Sequence, residues 1–112
     1  MAATHFSGPV VSTNGFQVAS GTILTGVLKG TVSVTVAALL AAAEADVEVS
    51  IANVAVGDSV QVNAPNAAME TGLGVLAVWV SEAGKIKIRM TNASGSTLTG
   101  STSDWTYLVL KS

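Results

Sequence analysis

The sequence predicts an all-β chain, an antiparallel β-sandwich or jelly-roll-like barrel with one short helical insert. Three observations carry this expectation. Apolar and polar residues alternate over several short runs, as in Val32, Val34 and Val36 against Thr31, Ser33 and Thr35. Those runs are rich in β-branched side chains, which favour strand over helix. Turn residues separate six to eight of them at near-regular spacing, the pattern of a sandwich or barrel.

Taken in order, residues 1–20 are loosely patterned and read as an N-terminal arm or edge hairpin, with residues 21–112 as the β-sandwich domain. Ser7-Gly8-Pro9 interrupts the start, and Pro9 has no amide hydrogen to give a ladder. Asn14-Gly15 is a hairpin signal, because a type I′ turn needs positive φ at both central residues; it would pair Thr13 with Phe16 and Val11 with Val18. Thr22 to Val36 is strand material punctuated by Gly26 and Gly30. Ala37 to Asp46, AALLAAAEAD, is the only stretch that favours helix by propensity, and supplies the expected insert. Its acidic residues Glu44 and Asp46 stand at the dipole's wrong end, so a single turn or short helix is expected.

From Asp46 to Asn53 a strand turns Val47, Val49 and Ile51 inward, and after Gly57-Asp58 the residues Val60 and Val62 do the same. Gly72 to Asn92 then reads as a hairpin around Ser81-Glu82-Ala83-Gly84. Its returning strand sets Ile86, Ile88 and Met90 against Lys85, Lys87 and Arg89. An even-length turn would place Trp79 on the face of Ile86. The outgoing strand, with Val75, Ala77 and Trp79 on one side and Leu76, Val78 and Val80 on the other, is apolar on both faces. So is the last strand, where Trp105, Tyr107 and Val109 alternate with Thr106, Leu108 and Leu110. A strand apolar on both faces needs cover on both, which places the expected assembly surface in the C-terminal half.

Composition points the same way. The chain has 112 residues, enough for one domain. It is 49% hydrophobic and 11% charged, against roughly 25% charged in a typical soluble domain. Mean hydropathy is +0.58. Such a surface suits an assembly better than a free monomer. No membrane partner is expected, because the longest apolar run, Val36 to Ala43, falls far short of the roughly 18–20 residues of a spanning helix. A net charge of −2 gives no reason to expect a nucleic-acid partner. No secretory signal is visible at MAATHFSGPVV, and the absence of cysteine fits synthesis in a reducing cytoplasm.

Candidate chemistry is sparse, and the chain reads as a non-enzyme without catalytic residues, metal or cofactor. His5 is the sole histidine. Asp46, Asp58 and Asp104 stand beside turns, where aspartate bonds local amides, and no spacing matches a calcium loop. Lys85, Lys87 and Arg89 form a basic stripe, either a solvated strand face or a contact for an acidic partner. Asn92-Ala93-Ser94 matches a glycosylation sequon. Trp79, Trp105 and Tyr107 read as core or subunit contacts, with a carbohydrate platform as the other use of such aromatics.

The succession VGDSVQVNAP, GLGVLAVWVSEAGKIKIRMTNASG and DWTYLVLK, from Val56 to Lys111, resembles the small β-sandwich virion proteins of tailed bacteriophages. FSGPVVSTNGF adds to the resemblance. It implies a capsid decoration (cement) protein on the virion surface, a homotrimer at three-fold positions that clamps the major capsid protein. Under that implication Leu76, Val78, Trp79, Trp105, Tyr107 and Leu108 are the expected subunit contacts. His5, Phe6, Pro9, Val10, Lys87 and Arg89 are the expected shell contacts. The alternative is a head-fibre or tail-fibre module that binds a host receptor or glycan through the Ala93–Asp104 loop.

Overall fold

A computed structural model describes residues 7–9 and 11–112. Six strands form two antiparallel three-stranded sheets. β1 (Gly26–Val36), β6 (Ser101–Lys111) and β3 (Ser59–Asn63) make one sheet in the order β1-β6-β3. β2 (Glu44–Ser50), β5 (Lys85–Asn92) and β4 (Leu73–Glu82) make the other in the order β2-β5-β4. β1 meets β2 and β3 meets β4 across the gap, so the arrangement is sandwich-like. A jelly roll needs eight strands; six are present among the described residues.

The inward rows follow from the alternation. Val47, Val49, Ile86, Ile88 and Met90 face the core from β2 and β5, with Ile86 and Ile88 fully buried. Val32, Val34 and Val36 of β1, Val60 and Val62 of β3, and Trp105, Tyr107 and Val109 of β6 close on them from the other sheet. Gly30 stands opposite Tyr107 in the ladder, where a Cβ would come 2.8 Å from the phenolic oxygen. Glycine there makes room for the ring.

Three local expectations are corrected. The helical insert at Ala37–Asp46 does not form. β1 ends at Val36, Leu39 pairs with Leu98 through two backbone hydrogen bonds, and β2 begins at Glu44 after a turn with Ala42 at φ 58°. The carbonyls of Leu39 and Leu40 are taken by the Asn92 amide, so tertiary bonding overrides alanine propensity. One 3₁₀ turn lies elsewhere, at Asn66–Ala68.

The type I′ pairing at Asn14-Gly15 is also absent. Only Gly15 has positive φ, and Phe16 pairs with Leu24 instead, each amide donating to the other's carbonyl at 2.8 Å. The hairpin is therefore longer, with residues 17–23 as its loop.

In the β4–β5 hairpin the two-residue turn Ala83–Gly84 is followed by a register shift between Val80 and Glu82, and another lies between Val75 and Ala77. Val80 consequently faces Ile86, Val78 faces Ile88, and Trp79 faces Lys87 on the outer side. A one-residue bulge flips every side chain beyond it, and here it buries Val80, turns half-buried Val78 toward the core and leaves the indole on the other face.

Candidate functional site

The outer face of the β2-β5-β4 sheet carries the charge. β2 presents Glu44, Asp46 and Glu48 opposite Thr91, Arg89 and Lys87 of β5. Arg89 donates to Asp46 from both Nε (2.8 Å) and Nη2 (3.1 Å), a bidentate pair, and its guanidinium lies 5.0 Å from the Trp79 ring centroid. The Asp46 carboxyl is held below its ordinary range by that hydrogen bond, and Arg89 is raised by the same contact. Lys85 lies 3.4 Å from Glu48 and 3.4 Å from Glu82, which raise it. The basic stripe is thus largely answered within the chain, which favours a solvated, charge-zipped sheet face.

The other sheet's outer face is different. β1 contributes Val27, Lys29, Thr31, Ser33 and Thr35; β6 contributes Leu110, Leu108, Thr106, Asp104 and Thr102; β3 adds Ser59, Gln61 and Asn63. Among the described residues, Lys29 and Asp104 are the charges that these strands bring to this face. Apolar residues gather at one end, where Val27 pairs with Leu110 and Leu108 lies one row on.

That end continues into the N-terminal hairpin. Val11, Phe16, Val18 and Ile23 are 84%, 64%, 71% and 47% exposed, and Val27 is 55% exposed. Among the described residues, none before β1 belongs to the core. Between the hairpin and the start of β1 lies an open groove of about 430 Å³, lined by Ser12, Phe16, Leu24, Thr25 and Val27 among others. The sequence reading gives the residue 1–20 arm a contact with the shell or a neighbouring subunit but places the subunit contacts in the C-terminal half, and so leaves out Val11, Phe16, Val18 and Ile23. The available signal was charge: the first Lys, Arg, Asp or Glu in the chain is Lys29.

The six expected subunit contacts do not come together. Trp105 is fully buried between the sheets, its Nε1 donating to Ser103 Oγ at 3.1 Å, so its ring belongs to the core and not to a subunit contact. Val78 and Tyr107 also pack against the core. Leu76, at the β4 bulge, and Trp79 lie on the β2-β5-β4 sheet, whereas Leu108 is on the outer face of the other. Of the expected shell contacts, Pro9 is exposed, Lys87 and Arg89 stand on the charged face, and His5, Phe6 and Val10 lie outside the described residues.

Two polar clusters hold loops in place. Asn92 is fully buried. Its Nδ2 donates to the carbonyls of Leu39 (3.0 Å), Leu40 (3.1 Å) and Ser96 (2.7 Å), and its Oδ1 accepts from Ser94 N (2.9 Å) and Ser94 Oγ (2.6 Å). The sequon asparagine is therefore a loop anchor, closed to glycan attachment in the folded chain. Asp58, with its side chain 2% exposed, accepts from Lys111 Nζ, from the Ala55 amide at 2.9 Å and from the Ser112 amide at 3.1 Å. Those donors, Lys111 first, lower its carboxyl to about 2.

The expected Ala93–Asp104 loop is shorter, because β6 takes up Ser101–Asp104, and residues 93–100 are pinned at both ends. Beyond Asn92, Leu98 is bridged to Leu39, and Thr99 and Gly100 donate to the Glu70 carboxylate, which is lowered chiefly by the Thr99 hydroxyl. Among the described residues no three His, Cys, Asp or Glu side chains cluster to hold a metal ion, and no helix is long and apolar enough to cross a membrane. In comparisons with protein-family models, with curated proteins and with solved structures, nothing matches this chain.

Proposed function

We propose that the chain is a bacteriophage capsid decoration protein, which binds the outer shell as a homotrimer and stabilises it. The observation that supports this best is the exposed apolar surface formed by the hairpin of residues 11–25 and the adjoining end of the β1-β6-β3 sheet. An uncovered hairpin closed by a single bridge is marginal in water, so a surface of this kind is suited to being covered by protein. The sandwich behind it is a rigid mount, and the charge-zipped face opposite suits solvent.

A ligand that binds only the assembled shell shifts the equilibrium toward it. Three hairpins on one trimer would add effective concentration to each contact. The fibre-module alternative relies on the Ala93–Asp104 loop as a receptor-binding tip, and the anchoring of that loop by Asn92, Leu39 and Glu70 makes it the less favoured reading.

Purified protein mixed with capsids encoded by the same genome tests the proposal by co-sedimentation. Saturable binding, with capsids that melt at higher temperature, is the expected result. Protein that stays in the supernatant at micromolar concentration would sink the shell role.

A further inference from the structure

We infer that Asn14 is a site of spontaneous deamidation, at which the Gly15 amide nitrogen attacks the Asn14 side chain and a carboxylate is left in the N-terminal hairpin. Three features bring this chemistry to Asn14. The residue is exposed in a turn. The side-chain hydrogen bonds described in the hairpin, from Ser12 to the Gly15 carbonyl and from Gln17 to the Gly21 carbonyl, leave the Asn14 amide unengaged. Among the described residues the Gly15 amide donates to no backbone carbonyl, unlike its neighbour Phe16, whose amide goes to Leu24.

Glycine is the third feature. A Cβ on the attacking residue hinders its nitrogen, and Gly15 has none. The fold also holds glycine there: φ is 92°, and a Cβ would come 2.5 Å from the Leu24 carbonyl oxygen and 2.7 Å from the Ile23 side chain. The close pass that forms the hairpin therefore requires the residue that makes Asn14 labile. A ribbon closed by the single Phe16–Leu24 bridge, with no residue in the core, opens easily enough for its turn to reach the geometry of attack. The other asparagines differ. Asn53, Asn63, Asn66 and Asn92 precede Val54, Ala64, Ala67 and Ala93, and the Asn92 amide is buried against three carbonyls.

The step balances with water alone. The Gly15 nitrogen, its proton lost to solvent base, bonds to Asn14 Cγ; the Cγ–Nδ2 bond breaks, and ammonia leaves with a proton from water. One water then opens the succinimide ring at either carbonyl, giving an aspartyl or an isoaspartyl residue. Either product places a carboxylate where residues 1–28 hold no Lys, Arg, Asp or Glu. The isoaspartyl form also lengthens the main chain by a methylene two residues before the Phe16–Leu24 pair. Under the shell role proposed above, on which this consequence rests, conversion weakens the contact, because a carboxylate covered by protein must be stripped of water.

The experiment holds the full chain in warm, mildly alkaline buffer for several weeks and follows it by tryptic mass mapping. The first tryptic site is Lys29, so the peptide of residues 1–29 has Asn14 as its sole asparagine, and the peptide of residues 90–111 carries Asn92. The expected result is a gain of about one dalton in residues 1–29, with isoaspartyl methyltransferase labelling, faster as pH rises and absent in Asn14→Gln. Residues 90–111 should stay unchanged. A folded chain whose residues 1–29 keep their mass while the urea-unfolded chain converts would overturn the site, as would a gain that persists in Asn14→Gln. Converted protein, separated by anion exchange, is expected to co-sediment with capsids more weakly than fresh protein; equal co-sedimentation would overturn the effect on the contact. Fresh protein that fails to bind capsids would remove the shell role, and the mass gain would still decide the site.

Discussion

Asn92→Ala should be the most damaging of the polar substitutions. Asn92 is the one fully buried polar side chain among the described residues, and its amide answers three carbonyls, one amide and one hydroxyl. Truncation takes the second donor from the Leu39 carbonyl, which keeps the Leu98 amide at 2.9 Å, and takes the acceptor from the Ser94 amide; two such bonds at about 0.5–1.5 kcal/mol each amount to about 1–3 kcal/mol. Leu40 and Ser96 are exposed residues whose carbonyls can turn to water. The missing amide also leaves a void and frees the Ser94–Ser96 bend, so the total should reach about 3–4 kcal/mol. That is a large fraction of the roughly 5–15 kcal/mol that holds a domain together.

Urea unfolding followed by the fluorescence of Trp79 and Trp105 measures the loss. Asn92→Asp is the control that isolates the donor, because it keeps the shape and points a carboxylate at three carbonyl oxygens. At neutral pH it should be worse than alanine, and the gap should narrow on acidification as the carboxyl gains a proton to donate. A loss below about 1 kcal/mol for alanine, or an aspartate variant as stable as the natural chain at pH 7, would refute the anchoring role.

Other outcomes follow from the same geometry. Asp58 has its folded-state carboxyl lowered to about 2 from 3.8, so its stabilisation is complete above about pH 4 and is lost as pH falls toward 2. Asp58→Asn should flatten that part of a melting-temperature profile, and an unchanged acid limb would contradict the Lys111 latch. Gly100→Ala should cost at least ~2 kcal/mol in urea unfolding, since the position has φ 80° and a Cβ there would lie 2.2 Å from the Val36 carbonyl oxygen. Ile88→Ala empties a fully buried core position and should cost about 2–5 kcal/mol by the same assay. Arg89→Ala should alter the Trp79 emission while leaving the melting temperature nearly unchanged, because the pair it breaks is on the solvent side.

The strands were legible where one face is buried and the other wet. Val34, Ile86, Ile88 and Val109 reach the core as the alternation requires. Legibility failed where long-range bonding outweighs local pattern. Nothing near Ala37–Asp46 in sequence announces that Asn92, some fifty residues on, will claim its carbonyls. The faces of β4 turned on the bulge at Ser81, which no residue type there specifies, and with it went the placement of Trp79. A strand apolar on both faces suggests a contact role for Trp105, yet the inward row alone fills the core and Leu108 and Leu110 are what remains outside. The N-terminal hairpin is legible from Asn14-Gly15, but the apolar exposure of Val11, Phe16, Val18 and Ile23 shows only as a lack of charge before Lys29, a signal that periodicity does not register.

Electron cryo-microscopy of capsids carrying the bound protein tests the central claim most directly. The account predicts three copies around each occupied three-fold position, with residues 11–27 covered by neighbouring protein. Density confined to the tail, or a hairpin facing solvent on all sides in the bound state, would contradict it.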